Sequence, residues 1–197
     1  MRPISSSHIR GAPAETPNSS PVVVALIGLP GAGKTTLAEY SASDLRARIL
    51  SRDDLRSRLV KRPMFSAEEN ARLLDRLLEE LRENCRSGRN TIVDGLTFAR
   101  EGELERVQEA AHAGGARFVA VWLDCPVEIA QARVRRDLEL GRHSSTNRTP
   151  ELVHKTACAF RKLPPHVTKL DAQAPTKELG QHLLARVFPQ GRIGSIK

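Results

Sequence analysis

The stretch Gly28-Leu29-Pro30-Gly31-Ala32-Gly33-Lys34-Thr35 decides the fold of this chain, because it fills every fixed position of the pattern G-x-x-x-x-G-K-[ST]. Its surroundings agree with it. The apolar run Val22-Val23-Val24-Ala25-Leu26-Ile27 ahead of it reads as a buried strand, and Thr36-Leu37-Ala38-Glu39-Tyr40 behind it reads as a helix over about 33–43. Glycines let the backbone wrap a polyphosphate and aim its N–H groups inward, at the positive end of that helix. The expected nucleotide-binding set is therefore Gly28, Leu29, Pro30, Gly31, Ala32, Gly33, Lys34, Thr35 and Thr36. Within it, Lys34 should reach the β- and γ-phosphates and the Thr35 hydroxyl should ligate Mg²⁺. A glycine-rich turn that matched by accident would not also bring strand, lysine, threonine and helix together. ATP and Mg²⁺ are the expected ligands.

Outward from this loop, strand patterns recur at 48–51, 91–94, 117–123 and, more weakly, 167–170. Helical patterns fall between them, from Arg52, over 66–87, over 99–113, from Asp124-Cys125-Pro126, over 151–161 and over 176–187. The longest is opened by Ser66 with Glu69 as a capping box, and Leu73, Leu74, Leu77, Leu78 and Leu81 give it one apolar face. Strands alternating with helices imply right-handed crossovers and a parallel sheet. The expectation is an α/β, three-layer P-loop NTPase fold with a five-stranded, mostly parallel sheet and an arginine-bearing lid. The domain is expected over 21–190, with its lid at about 137–150 and tails at 1–20 and 191–197.

Composition narrows the class. A chain of 197 residues suits one domain with a real core, and no apolar run approaches the ~20 residues of a membrane span. Residues 1–20 are Ser- and Pro-rich and lack the apolar stretch of a secretory signal. They read as a disordered tail or a misplaced start, and two arginines give a transit peptide little support. Cys85, Cys125 and Cys158 are odd in number and far apart, which suggests neither disulfides nor zinc and favours a reducing cytoplasm. The formal charge of +8 suits an anionic partner such as nucleic acid. ATP, a phosphorylated substrate and solvated helix faces would absorb it equally well, and few aromatics are available for base stacking.

Ligands of such sheets bind beyond the carboxyl ends of the strands. That edge should carry the phosphate loop, Ser51 to Asp54, Asp94 and Asp124. Asp53 is the candidate to orient an acceptor hydroxyl and take its proton. Either Asp53 or Asp54 is expected to cap the helix that follows while the other faces the site. Arg56, on the same helix face as Asp53, is open between binding an anionic group of the acceptor and being solvated. Asp94 is open between holding Mg²⁺ through water, contacting the acceptor and capping the turn at Gly95. Arg100, expected to open the next helix, is a third substrate-side candidate. Arg133, Arg135, Arg136, Arg142 and Arg148 surround the polar segment from Gly141 to Pro150, where a closing lid would exclude water and neutralise charge on the transferring group. His143 reads as incidental.

Taken together, Gly28–Thr35, Arg52-Asp53-Asp54-Leu55-Arg56, Asp94 and the arginine loop resemble the small P-loop kinases, over about residues 21–188. The nearest likeness is to the AAA-type group that includes the kinase domain of bacteriophage polynucleotide 5′-hydroxyl kinase. Zeta-toxin, adenylylsulfate and gluconate kinases are more distant. The resemblance implies Asp53 as general base, Arg56 on the phosphate neighbouring the reacting hydroxyl, and Asp94 as a carboxylate that helps place the base. It implies Arg136 as the catalytic lid arginine, with Arg133 and Arg142 as neighbours that a slipped alignment would select instead. One departure stands out: Asp94 is followed by Gly95-Leu96 where the polynucleotide-type kinases continue with Thr-Asn. That puts a polynucleotide acceptor in doubt and leaves phosphoryl transfer untouched.

The expected function is thus an ATP- and Mg²⁺-dependent kinase acting on a hydroxyl of a small-molecule or nucleotide-type acceptor. A polynucleotide 5′-hydroxyl kinase and a non-catalytic ATP-binding switch are the alternatives. A GTPase is suggested by Thr168-Lys169-Leu170-Asp171, which matches [NT]-K-x-D, but Asp94-Gly95-Leu96-Thr97 fails the accompanying D-x-x-G. A nucleic-acid motor would need a larger body than this length gives.

Overall fold

The computed structural model describes residues 20–141, 148–160 and 163–189. Strand β1 (Val22–Ile27) is buried along its whole length. Its side chains alternate between two cores, Val22, Val24 and Leu26 entering one and Val23, Ala25 and Ile27 the other. A strand apolar on both faces needs helices on both sides. The chain supplies them in the order α1 (Lys34–Ala42), β2 (Ala47–Ser51), α2 (Arg52–Leu59), α3 (Ala67–Arg86), β3 (Asn90–Asp94), α4 (Glu103–Ala113), β4 (Arg117–Asp124), α5 (Val127–Glu139), α6 (Pro150–Ala159), β5 (Thr168–Asp171) and α7 (Thr176–Val187).

The five strands line up as β2-β3-β1-β4-β5, and every pairing is parallel. Leu37 of α1, Val134 of α5, Val153 of α6 and Leu183 of α7 fill the first core. Leu55 of α2, Leu77 of α3 and Val107 of α4 fill the second. The result is the three-layer P-loop NTPase fold, with a crevice at the carboxyl end of β1 where the strand order reverses. Among the described residues no helix is long and apolar enough to cross a membrane.

Local rules explain most helix ends, and three expectations need correction. Neither Asp53 nor Asp54 caps α2. Ser51 does, its Oγ accepting from the Asp54 N–H at 3.4 Å, so both carboxylates are free of that task. The helix expected from 99 starts instead at Glu103, because Gly102 turns the chain at φ +76° and Phe98 has already left the helical region at φ +57°. Arg100 therefore sits in the loop ahead of α4. The capping box of α3 is half made. Ser66 accepts from Glu69 N–H at 3.2 Å, but the Glu69 carboxylate turns to the N–H groups of Met64 and Phe65, at 2.7 and 3.2 Å. Of the expected lid, Asp137 to Glu139 form the last turn of α5, Thr149 caps α6 through the Leu152 N–H at 3.3 Å, and residues 142–147 lie outside the described residues.

Packing predicts a contrast between two leucines. Leu77 is fully buried between α3 and the sheet, whereas Leu59, at the end of α2, is 56% exposed. Leu77→Ala should cost about 2–5 kcal/mol of stability, and Leu59→Ala less than about 0.5 kcal/mol. Urea-denaturation midpoints of the two variants check this.

Candidate active site

The phosphate loop owes its shape to backbone that only glycine adopts without strain. Gly31 has φ +83°, and a Cβ there would lie 2.5 Å from the carbonyl oxygen of Ala130 in α5. Lys34, the first residue of α1, is 7% exposed and donates from Nζ to the carbonyls of Gly28 and Leu29, each at 2.9 Å. The ammonium is thus pinned across its own loop, where the β- and γ-phosphates would lie. Burial pushes it down to about 8, Asp94 and Asp53 oppose that shift, and Arg148 and Arg52 add to it.

Next to it, Thr35 Oγ1 donates to Asp94 Oδ2 at 2.8 Å. Asp94 is 3% exposed, and its other oxygen, Oδ1, is buried with no hydrogen-bond partner among the described residues. A buried carboxylate oxygen without a partner is costly unless something positive meets it. A hydroxyl and one carboxylate side by side fit Mg²⁺, which takes one or two carboxylates and completes its shell with water and substrate phosphates. No cluster of three or more His, Cys, Asp or Glu side chains capable of holding a metal occurs among the described residues, and this ion needs none. The contact Asp94 makes with Thr35 is none of the three roles left open for it.

Two cavities meet at this point. One, of about 360 Å³, is lined by the phosphate loop from Gly31 to Thr36, by Arg133, Arg136 and Asp137 of α5, and by Ala172, Ala174, Thr176 and Leu179. The other, of about 410 Å³, is lined by Arg52, Asp53, Arg56 and Asp94, by Thr97, Ala99 and Arg100, and by the face of α6 carrying Leu152, Lys155, Thr156 and Ala159. Lys34 and Arg148 line both.

Asp53 reaches the second cavity from the first turn of α2. Its Oδ1 accepts from Arg56 Nη1 at 3.0 Å, and no hydrogen bond among the described residues engages Oδ2. Arg56 is not a solvated arginine. It is 6% exposed, donates from Nε to Glu69 Oε1 at 2.8 Å and from Nη2 to Asn70 Oδ1 at 2.6 Å, and lies over the Phe65 ring at 4.8 Å. Its first duty is to lock Asp53 to the start of α3. Asp124, expected on the same rim, lines neither cavity and pairs with Lys169 at 2.6 Å.

The arginines divide by position. Arg133 is a tether, donating to the carbonyls of Gly31 at 3.4 Å and Ala172 at 3.0 Å, and so belongs to the floor of the nucleotide cavity. Arg136 lines that cavity alone, Arg135 lines neither, and Arg142 lies outside the described residues. Arg148 is the arginine that lines both cavities. Burial disfavours its charge, while Asp53, Asp94 and Asp137 favour it. Sequence reasoning placed Arg148 in the cluster without singling it out. Its signal was the position just ahead of Thr149-Pro150, a helix start that fixes where the arginine emerges. The GTPase-like string Thr168–Asp171 is strand β5 itself and touches neither cavity.

Comparison with known proteins agrees with this geometry. Residues 23–148 match the model of the AAA domain family. The chain belongs to that family. A UPF0200 protein of Aeropyrum pernix is 31% identical over 94 residues, which are 42% of this chain and 50% of that protein, so the match spans half of the relative's length. Among solved structures, the APS kinase of Mycobacterium tuberculosis in complex with AMPPNP and APS superposes with a TM-score of 0.66, at 20% identity over 85% of this chain and 98% of that one. A gluconokinase from Sinorhizobium meliloti 1021 gives 0.62 at 17% identity, over 86% and 93%. A chain of the Pnkp1/Rnl/Hen1 RNA repair complex gives 0.57 at 22% identity, over 76% of this chain and 46% of that one. The fold is that of the small P-loop kinases.

The Lys34 environment makes a pH-dependent prediction. Its ordinary value of 10.5 is lowered to about 8, so at pH about 8.5 the free protein holds much of it neutral. A bound triphosphate favours the charged form and restores the proton. Mg·ATP binding should therefore take up protons near pH 8.5, and this uptake should fade toward pH about 7, where Lys34 is charged in both states. Calorimetric titration in two buffers of different ionisation enthalpy measures the uptake, and Lys34→Met should remove it.

Proposed function

We propose that this protein is an ATP- and Mg²⁺-dependent kinase of the cytoplasm that transfers the γ-phosphoryl group to a hydroxyl of a small-molecule or nucleotide-type acceptor. The observation that carries the reading is the pair of cavities joined at Lys34 and Arg148, with the phosphate loop in one and Asp53 in the other. Phosphoryl transfer needs a cradle, a metal, an aligned acceptor and cations around the transferring group, and little else.

In this reading the triphosphate lies along Gly28 to Thr36, with its γ end at Lys34. Thr35 and Asp94 would hold Mg²⁺, which would supply positive charge to offset that of the phosphates. Asp53 Oδ2 accepts a hydrogen bond from the acceptor hydroxyl and aims its oxygen at the γ-phosphorus. As the new oxygen–phosphorus bond forms, the bond to the β-phosphate bridging oxygen breaks and ADP leaves. The transition state is loose, so the proton passes to Asp53 late, and alignment is the larger part of its task. Arg56 keeps Asp53 in place, and Arg148 lies where charge moves from donor to acceptor. Leu152 and Ala159 on α6 line the acceptor cleft and help to exclude the water that would divert the phosphoryl group. A non-catalytic switch would have no use for a locked Asp53 or for Arg148 at the border.

Asp53→Asn should lower phosphoryl transfer by about 10²–10⁴-fold while leaving ATP affinity within a few-fold. Single-turnover transfer from γ-labelled ATP, with nucleotide binding measured separately, checks both halves; unchanged turnover would remove Asp53 from the mechanism. Of the arginines, Arg148→Gln should slow transfer more than Arg136→Gln, because only the first lines both cavities. Comparing kcat for the two variants at saturating ATP orders them.

A further inference from the structure

The cleft beside Asp53 carries more positive charge than phosphoryl transfer requires. Lys34 serves the triphosphate, Arg56 is engaged by Asp53, Glu69 and Asn70, and Arg148 stands at the border. Three further cations line the same cleft: Arg52, Arg100 and Lys155. Its lining carboxylates, Asp53 and Asp94, already have partners in Arg56 and Thr35. The three cations come from separate elements: the start of α2, the loop before α4, and α6.

Arg52 is the most telling of them. Its side chain is 14% exposed, and its counter-ion Glu103 lies 3.6 Å away, beyond a good hydrogen bond. Arg52 Nε and Glu103 Oε2 are both buried without a hydrogen-bond partner among the described residues. Burial pushes the Glu103 carboxyl up, and Arg52, Arg100 and Arg106 together only partly oppose it. Arg100 and Lys155 are exposed, and among the described residues neither is in an ion pair. Like charges facing one hollow repel unless an anion sits between them.

We infer that the acceptor alcohol carries an anionic group, a phosphomonoester, sulfate or carboxylate, which docks on Arg52, Arg100 and Lys155 while its hydroxyl meets Asp53. This rests on the kinase reading of the same cleft and names its acceptor class. A cavity of about 410 Å³ has the size of a small-molecule site. A neutral sugar or nucleoside would leave Arg100 and Lys155 without an ion pair and Arg52 with only its loose one to Glu103. The planar guanidinium of Arg52 suits two oxygens of one anionic group, and Lys155 adds a point charge from the α6 side.

The test uses the full chain with Mg²⁺ and a non-hydrolysable ATP analogue, and matched pairs of alcohols: glycerol with glycerol 3-phosphate, glucose with gluconate and glucose 6-sulfate, and a nucleoside with its 3′-monophosphate. In calorimetry, at least one charged member should bind about tenfold or more tightly than its neutral partner. Arg100→Gln and Lys155→Gln, at exposed positions where folding is not at stake, should each remove most of that ratio. Neutral members binding as tightly as charged ones, no charged member binding, or a ratio untouched by both substitutions would overturn the inference. So would a 5′-hydroxyl oligonucleotide that binds tighter than every small member and weakens steeply with salt. The same panel with γ-labelled ATP separates the two readings. Selective binding of charged alcohols without transfer keeps the docking site and removes the kinase; equal transfer to neutral alcohols keeps the kinase and removes the docking site.

Discussion

The hydrogen bond from Thr35 to Asp94 is the contact on which the rest of the site depends. It joins the first turn of α1 to the last residue of β3. It exists only because β3 lies directly beside β1, in a parallel register that sets Ala25 against Val93. A second parallel register sets Ser51 of β2 against Asp94, so Asp53 follows two residues later on the same rim. Two strand registers thus fix the distances among the phosphate loop, the Thr35–Asp94 pair and Asp53. Gly95 belongs to the same device. At φ +77° it turns away from β3, and a Cβ there would lie 3.1 Å from Arg52 N and 3.3 Å from Asp53 N. The start of α2 can press against the exit of β3 only while that position is glycine, which accounts locally for the residue that departs from the polynucleotide-type pattern.

Charge in the site is held by structure ahead of any ligand. Lys34 is kept in place by two carbonyls of its own loop, and α5 closes over that loop so tightly that Gly31 has no room for a side chain. Arg133 then ties the same helix to Gly31 and Ala172. Ordering these groups in advance means that binding a triphosphate need not freeze them, and the low-dielectric surroundings strengthen what they exert on it. The cost appears as a depressed Lys34 and an unpartnered Asp94 oxygen, both of which a metal–triphosphate would relieve.

Much of this was legible in the sequence, for reasons that are themselves physical. A buried parallel strand reads as an unbroken apolar run, and a phosphate loop needs fixed residue types at fixed spacing, so β1, Lys34 and Thr35 announce themselves. Helix α3 shows its face through leucines at helical spacing, because one stripe must meet the sheet. Asp94 beside the phosphate loop followed from the alternation of strands and helices. What stayed hidden depends on partners distant in sequence. Arg56 stays open between anion binding and solvation until α3 brings Glu69 and Asn70 to it. Arg148 reads as one of five until α6 docks on α5 and delivers it to both cavities. Ser51 could have been found, since serine directly ahead of a helix is a preferred cap; the two aspartates after it drew attention away.

The division between what is fixed and what is adjustable runs through the acceptor cleft. Its inner wall is strand ends, where registers leave little freedom. Its outer wall is the loop before α3 and the loop before α4, and each contains a phenylalanine in the left-handed region, Phe65 at φ +54° and Phe98 at φ +57°. Such conformations cost about 1–3 kcal/mol each and persist only where surrounding contacts impose them. Phe65 is imposed by Glu69, which holds its N–H, and by Arg56, which lies over its ring. Phe98 is imposed by the core it enters. The contacts that position Asp53 are therefore the same ones that shape the rim around it. A change of acceptor would be expected to alter these two loops and Arg100, while leaving Lys34, Thr35 and Asp94 as they are.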